Sequence, residues 1–148
     1  MSIKQAVQDA IKQAMKDKDT IRLECLRMAK AALLLKEKEG AKEEELSDEE
    51  AIKALRGEIR KRQQSVETYR ELGKTEEVGK LGQEIAVLEG FLPKQLTADQ
   101  LEERVRAYLA EHPELNHAGK LTGAMKKELG DLADGKILND VCRKVLGA

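Results

Sequence analysis

The side chains in this chain that could run a reaction are few and badly placed for one. His112 and His117 are five residues apart beside Pro113, with no cysteine near them and no serine or aspartate arrangement that would pair a nucleophile with a base. Their spacing approaches a permitted zinc-ligand interval, but Cys25 and Cys142 form no knuckle with them, so no metal site is expected. Neither a G-x-x-x-x-G-K-[ST] nor a G-x-G-x-x-G element occurs, which removes the standard phosphate loops. What remains is binding chemistry. Gly119-Lys120 at a helix start could hold a phosphate, because a first helical turn offers unpaired N–H groups and Lys120 adds a full charge. Gly123, four residues on, also reads as a small residue that lets another helix pack closely, and Asp134-Gly135 as a cap and turn. Neither histidine nor cysteine is given a chemical role, and no cofactor is expected.

The elements that must position these residues are helices. Among the 148 residues, 37% are charged and 2% aromatic, while Ala, Leu, Glu and Lys dominate, the composition of solvated, packed helices. Only Pro93 and Pro113 interrupt, and no β-branched alternation supports a strand, so the fold class is all-α. Net charge is −1, and both sides of Pro93 are near neutral, which does not by itself point to nucleic acid. The opening residues contain no apolar leader and the chain no 18-residue apolar run, so a soluble, cytoplasmic protein without a membrane partner is expected. Cys25 and Cys142 are expected as reduced, part-buried thiols.

Ser2 caps a first helix that ends near Lys18, and Asp19 caps a second whose seam is Ile21, Cys25, Met28, Ala32 and Leu35, widened by Leu26, Leu33 and Leu34. Lys36 to Glu45, with Gly40 and the Glu43-Glu44-Glu45 run, reads as a solvated loop with a frayed helix end. Ser47-Asp48-Glu49-Glu50 fits a capping box before a long helix with the stripe Ile52, Leu55, Ile59, Arg62, Val66, Tyr69. After Gly73-Lys74-Thr75 a mirrored stripe runs Val78, Leu81, Ile85, Leu88, Leu92, so the two arms form an antiparallel helical hairpin. Arg62 interrupts the first stripe. It is expected to snorkel at the hairpin edge unless Glu84 or Glu89 meets it. Pro93 divides the chain into an N-terminal helical domain, residues 1–92, and a C-terminal three-helix domain, residues 93–148. In the second, Thr97-Ala98-Asp99-Gln100 is another capping box, its helix ending at His112-Pro113. Helices over about Leu121 to Leu129 and from Asp134 to Leu146 follow.

Basic residues recur on one face of the long helix at Lys53, Arg56 and Arg60, with Lys61, Arg62, Arg70 and Lys74 nearby. Such a run reads as a solvated face, or as spaced cations that hold an RNA backbone without base readout.

Several short segments carry a resemblance when taken in order: Gln13-Ala14-Met15-Lys16, Arg27-Met28-x-Lys30-Ala31, Lys61-Arg62-Gln63-Gln64-Ser65 leading to Tyr69 and Gly73-Lys74, Phe91-Leu92-Pro93-x-Gln95-Leu96, Gly119-Lys120-x-x-Gly123-x-Met125 and Ala133-Asp134-Gly135. They resemble the YqeY family, whose C-terminal region is similar to the tail domain of the GatB subunit of tRNA-dependent amidotransferases. Gly73-Lys74-Thr75-Glu76 departs from the family's Gly-Arg/Lys-x-Asp-Leu, and Thr122 stands where Met is common. The resemblance implies an α-helical N-terminal lobe joined to a small helical tail; in the amidotransferase that tail helps to grip the tRNA body.

A non-catalytic tRNA-binding or tRNA-enzyme adaptor is therefore expected, with Lys120, Lys126, Lys127 and Lys136 of the tail, aided by Arg56 and Arg60, on phosphates. The alternative is a protein-interaction module that docks on an aminoacyl-tRNA synthetase, an amidotransferase or its own copy. A carbon–nitrogen ligase activity with glutamine as amide donor attaches to the family label alone, and no residue here supports it.

Overall fold

Each helix of the first unit but the last starts where a short polar side chain can take up the free N–H groups of its first turn. The computed structural model describes residues 2–40 and 45–147. Among them are seven α-helices and one short 3-10 helix, and no strand, so the protein is all-α. By their internal contacts the residues divide into two units, Met1–Leu92 and Pro93–Ala148.

The first unit holds α1 (Ile3–Asp17), α2 (Thr20–Glu39), α3 (Asp48–Glu71) and α4 (Thr75–Glu89). The Ser2 hydroxyl accepts from the N–H of Gln5, and the Asp19 carboxylate from that of Arg22. Between these helices Lys18 takes a left-handed conformation (φ 55°), which closes α1 and turns the chain within two residues. Ser47 caps α3 through the N–H of Glu50, but here the expected box is half made. The neighbouring Asp48 carboxylate turns instead to the N–H of Ile3, 3.0 Å away, and so ties the starts of α1 and α3 together. Lys4 of α1 reaches Glu37 of α2, its ammonium donating to the two carboxylate oxygens at 3.1 and 2.8 Å.

That hydrogen-bonded contact holds the Glu37 carboxyl below the ordinary carboxylate range. A depressed carboxyl contributes stability at pH values above its unfolded pKa, and the contribution is lost as pH falls through the lower, folded value. Replacing Lys4 with Met is therefore expected to raise the Glu37 titration midpoint, followed by carboxyl NMR, while stability at neutral pH changes little.

The core of this unit is aliphatic, as a chain with almost no aromatics requires. Val7, Ala29, Leu33, Ala51, Leu55 and Leu88 are all but inaccessible, with Phe91 and Leu92 packed against them. The second helix corrects the expected seam: Leu26 and Leu33 are buried beside Cys25 and Ala29, but Ile21, Met28 and Leu35 are 42%, 53% and 63% exposed. The seven-residue spacing of those three marks a real stripe, yet α2 packs on α1, α3 and α4 together. Its buried arc is consequently broad and centred on Leu26–Ala29–Leu33. The helix also runs on to Glu39, beyond the start of the expected loop, and residues 41–44, with Glu43 and Glu44, lie outside the described residues.

Helices α3 and α4 lie against each other across a three-residue link, in which Gly73 supplies a backbone φ of 71° that a side chain would strain. Arg62 does not snorkel. Its side chain is 7% exposed, with Nε 3.5 Å from the Glu84 carboxylate, Nη1 3.9 Å from that of Glu58, and Nη1 donating to the Glu58 carbonyl at 3.1 Å. Glu84 thus fills the role left open between Glu84 and Glu89. Beside this cluster the Cys25 thiol donates to the Glu84 carbonyl at 3.6 Å; burial pushes its pKa up, with Arg62 pulling the other way.

The second unit holds α5 (Ala98–Glu111), α6 (Ala118–Leu129), the 3-10 helix Gly130–Leu132 and α7 (Gly135–Val145). Thr97 and Gln100 form a complete reciprocal capping box. Leu101, Val105, Leu121, Met125, Leu138 and Cys142 make the core. The Phe91-to-Leu96 segment has a distinct task on each side of Pro93. Upstream, Phe91 and Leu92 pack on the first core. Downstream, Gln95 donates to the Asp131 carbonyl at 3.0 Å and the N–H of Leu96 to the Leu132 carbonyl at 2.7 Å, which pins the second unit's first residues to its 3-10 helix. Both cysteines are free and buried. Among the described residues, no helix is long and apolar enough to cross a membrane.

Candidate nucleic-acid interface

Helix α6 starts three residues earlier than the apolar spacing indicates, because His117 caps it. His117 Nδ1 accepts from the N–H of Gly119 at 3.1 Å. By sequence this histidine reads as an ordinary loop residue; histidine is outside the usual N-cap set of Ser, Thr, Asp and Asn, so its type carries little signal for the role. The cap also changes the reason for Gly119. A side chain there would begin 3.2 Å from the imidazole ring, so the glycine makes room for its own cap. One of the donors expected to face a phosphate is thereby already used, which leaves Lys120 as the remaining cationic group of the expected phosphate site.

Lys120 and Lys127 are both exposed and seven residues apart, which places them on one face of α6, separated by two turns or roughly 10 Å. Between them lies Gly123, where an added side chain would meet nothing within 4 Å. Among the described residues no helix packs on it, contrary to the close-packing alternative. Its bare backbone leaves the strip between the two ammonium groups open.

Lys126 lies on the edge of α6 facing α7. Its Cε and Nζ would be 3.3 and 3.4 Å from a side chain at Gly135, so its ammonium end rests over the first residue of α7. There Asp134 is the cap, accepting from the N–H groups of Lys136 and Ile137 at 2.9 and 3.1 Å. Lys126 and Lys136 thus both lie near the start of α7. The tail lysines form two neighbouring pairs, 120 with 127 along α6 and 126 with 136 at the α6–α7 corner. Among the described residues none of the four pairs with a carboxylate, whereas Lys144 of α7 meets Glu102 at 2.8 Å.

Thr122 faces inward. It is buried and its hydroxyl meets the Asn139 amide oxygen of α7 at 3.4 Å. The departure from Met at this position therefore alters the α6–α7 packing and not the lysine face. Nearby, burial pushes the Cys142 thiol pKa up, with Thr122 acting in the opposite direction.

Arg56 and Arg60 lie on α3, so the candidate cations divide between the two units. They share a face with Lys53, but Arg60 is exposed while Arg56 is half-buried and already has a partner within the chain. Arg56 in particular is held by its own surroundings.

The four lysines lie on a small helical unit that follows a longer helical unit in the chain, an all-α architecture among the described residues. The family model described as Yqey-like protein matches residues 4–146, and the chain belongs to that family. No curated protein matches it.

Proposed function

We propose that the protein is a non-catalytic, cytoplasmic adaptor that binds tRNA through its second unit. The observation that carries this reading is the set of lysines 120, 126, 127 and 136, exposed around α6 and the start of α7 and without carboxylate partners among the described residues. An ammonium group that is not neutralised by its own protein is available to displace counterions from a phosphate backbone. Spaced cations with no base-reading groups among them grip structured RNA by its shape and charge, with little preference for sequence. Family membership adds the similarity of this region to the amidotransferase tail that helps to hold tRNA.

Filter binding of total tRNA at two salt concentrations tests the reading. Retention at low salt that falls steeply at high salt is expected; no retention at low salt would end it.

A second reading is supported by a separate observation, the exposed Ile21, Met28 and Leu35 at seven-residue intervals on α2. Such a stripe suits a helix of a partner protein, for instance a synthetase or an amidotransferase. A pull-down that keeps its partner after RNase treatment favours docking over RNA.

A further inference from the structure

Two of the three aromatic residues serve the cores, and the third does not. Phe91 packs on the first core and Tyr108 on the second, but Tyr69 belongs to neither, in a chain with no Trp. The half-exposed Tyr69 closes a shallow depression of about 430 Å³ on α3, walled by Lys61, Gln64, Ser65 and Thr68. These five positions follow steps of three and four along one helix face, and all carry groups able to hydrogen-bond. Part of that capacity is unused: among the described residues, the Gln64 and Ser65 side chains make no hydrogen bond, while the Thr68 hydroxyl donates to the Gln64 carbonyl at 3.3 Å.

The charges around the depression define what fits it. Lys61 pairs with Glu58 at 3.2 Å, and the Lys74 ammonium lies 5.8 Å from the centre of the Tyr69 ring. Glu67 and Glu71 follow on the same helix. This is a poor seat for a polyanion, whose phosphates would find the lysines engaged and carboxylates nearby. It is a good seat for a flat, weakly charged, hydrogen-bonding group: a half-exposed ring whose other neighbour is the Lys74 ammonium, an amide that both donates and accepts, and two hydroxyls. The depression is shallow and open to solvent, so it seats one such group at the surface without enclosing it.

We propose that this depression holds a single unpaired nucleotide of a bound RNA, its base stacked on Tyr69 and hydrogen-bonded by Gln64 and Ser65. The inference rests on the RNA-binding reading above and adds to it a site on the first unit, dominated by stacking where the tail is dominated by charge.

With Tyr108 replaced by Phe, the full chain keeps Tyr69 as its only tyrosine, and its fluorescence reports stacking directly. Titration with a triadenosine RNA is expected to quench this emission saturably, with a salt slope of about 0.7 or less, that of a single phosphate contact. Gln64→Ala with Ser65→Ala, both on a solvent-facing helix surface, should weaken the binding at least about fivefold while circular dichroism stays unchanged. Absence of saturable quenching at millimolar RNA, equal quenching in the doubly substituted chain, or equal competition by inorganic phosphate would each overturn the proposal. Retention of total tRNA, measured in parallel, separates the two readings. Retention without quenching removes the nucleotide site alone, and loss of both removes both.

Discussion

Replacing Lys120 and Lys127 together with Glu is expected to lower affinity for total tRNA by about 10- to 100-fold at low salt. The size of the effect follows from their placement. Both ammonium groups stand on one open face of α6 about two turns apart, so each can reach a separate phosphate, and among the described residues neither is paired with a carboxylate. Freeing two phosphates should flatten the dependence of log affinity on log salt by about 1.4 to 1.8, at roughly 0.7 to 0.9 for each phosphate no longer neutralised. Both positions are exposed, so the helix content and thermal midpoint of the altered chain should stay close to those of the original. A doubly substituted chain that is folded and retains tRNA with an unchanged salt slope would show that RNA does not sit on the α6 face. The same substitutions at Arg56 and Arg60 are a weaker probe, since Arg56 already has a partner in the fold.

The largest effect on stability is expected at Arg62. Changing it to Ala would leave the largely buried Glu84 carboxylate without its cation, while Glu58 keeps only the exposed Lys61 at 3.2 Å, at a cost of about 3–5 kcal/mol in urea denaturation. The cost arises more from the abandoned Glu84 carboxylate than from the missing attraction, since a buried carboxylate tolerates leaving water only beside a cation. A chain carrying Arg62→Leu together with Glu58→Gln and Glu84→Gln should accordingly recover much of the stability. If Arg62→Ala costs less than about 1 kcal/mol, the side chain behaves as an exposed cation and the ion-pair account fails.

Most of the helices are legible because they carry their start signals in the residues that make them. Ser2, Asp19, Ser47, Thr97 and Asp134 each accept a first-turn N–H as their types require. His117 escapes such reasoning because its capping depends on geometry that its residue type does not advertise. The seam of α2 is misread for a different reason. A period identifies apolar stripes, but which stripe is covered depends on how many neighbours a helix has, and α2 has three. Arg62 shows the same limit, since a charge on an apolar stripe can snorkel or be paired, and only the position of Glu84 decides between them.

For the candidate interface the division is similar. The residues of one chain determined that this protein is all-helical and which of its side chains are candidate cations, because periodicity, capping and side-chain type are local properties. Only the tertiary structure decided which cations are available: it gave Lys144 to Glu102, enclosed Arg62 between two carboxylates, and left Lys120 and Lys127 open across Gly123. It also set Gly119 against the His117 ring that caps the same helix. Whether a charge is spent within the fold or offered to a ligand depends on distances between residues far apart in sequence, and those distances exist only once the helices have packed.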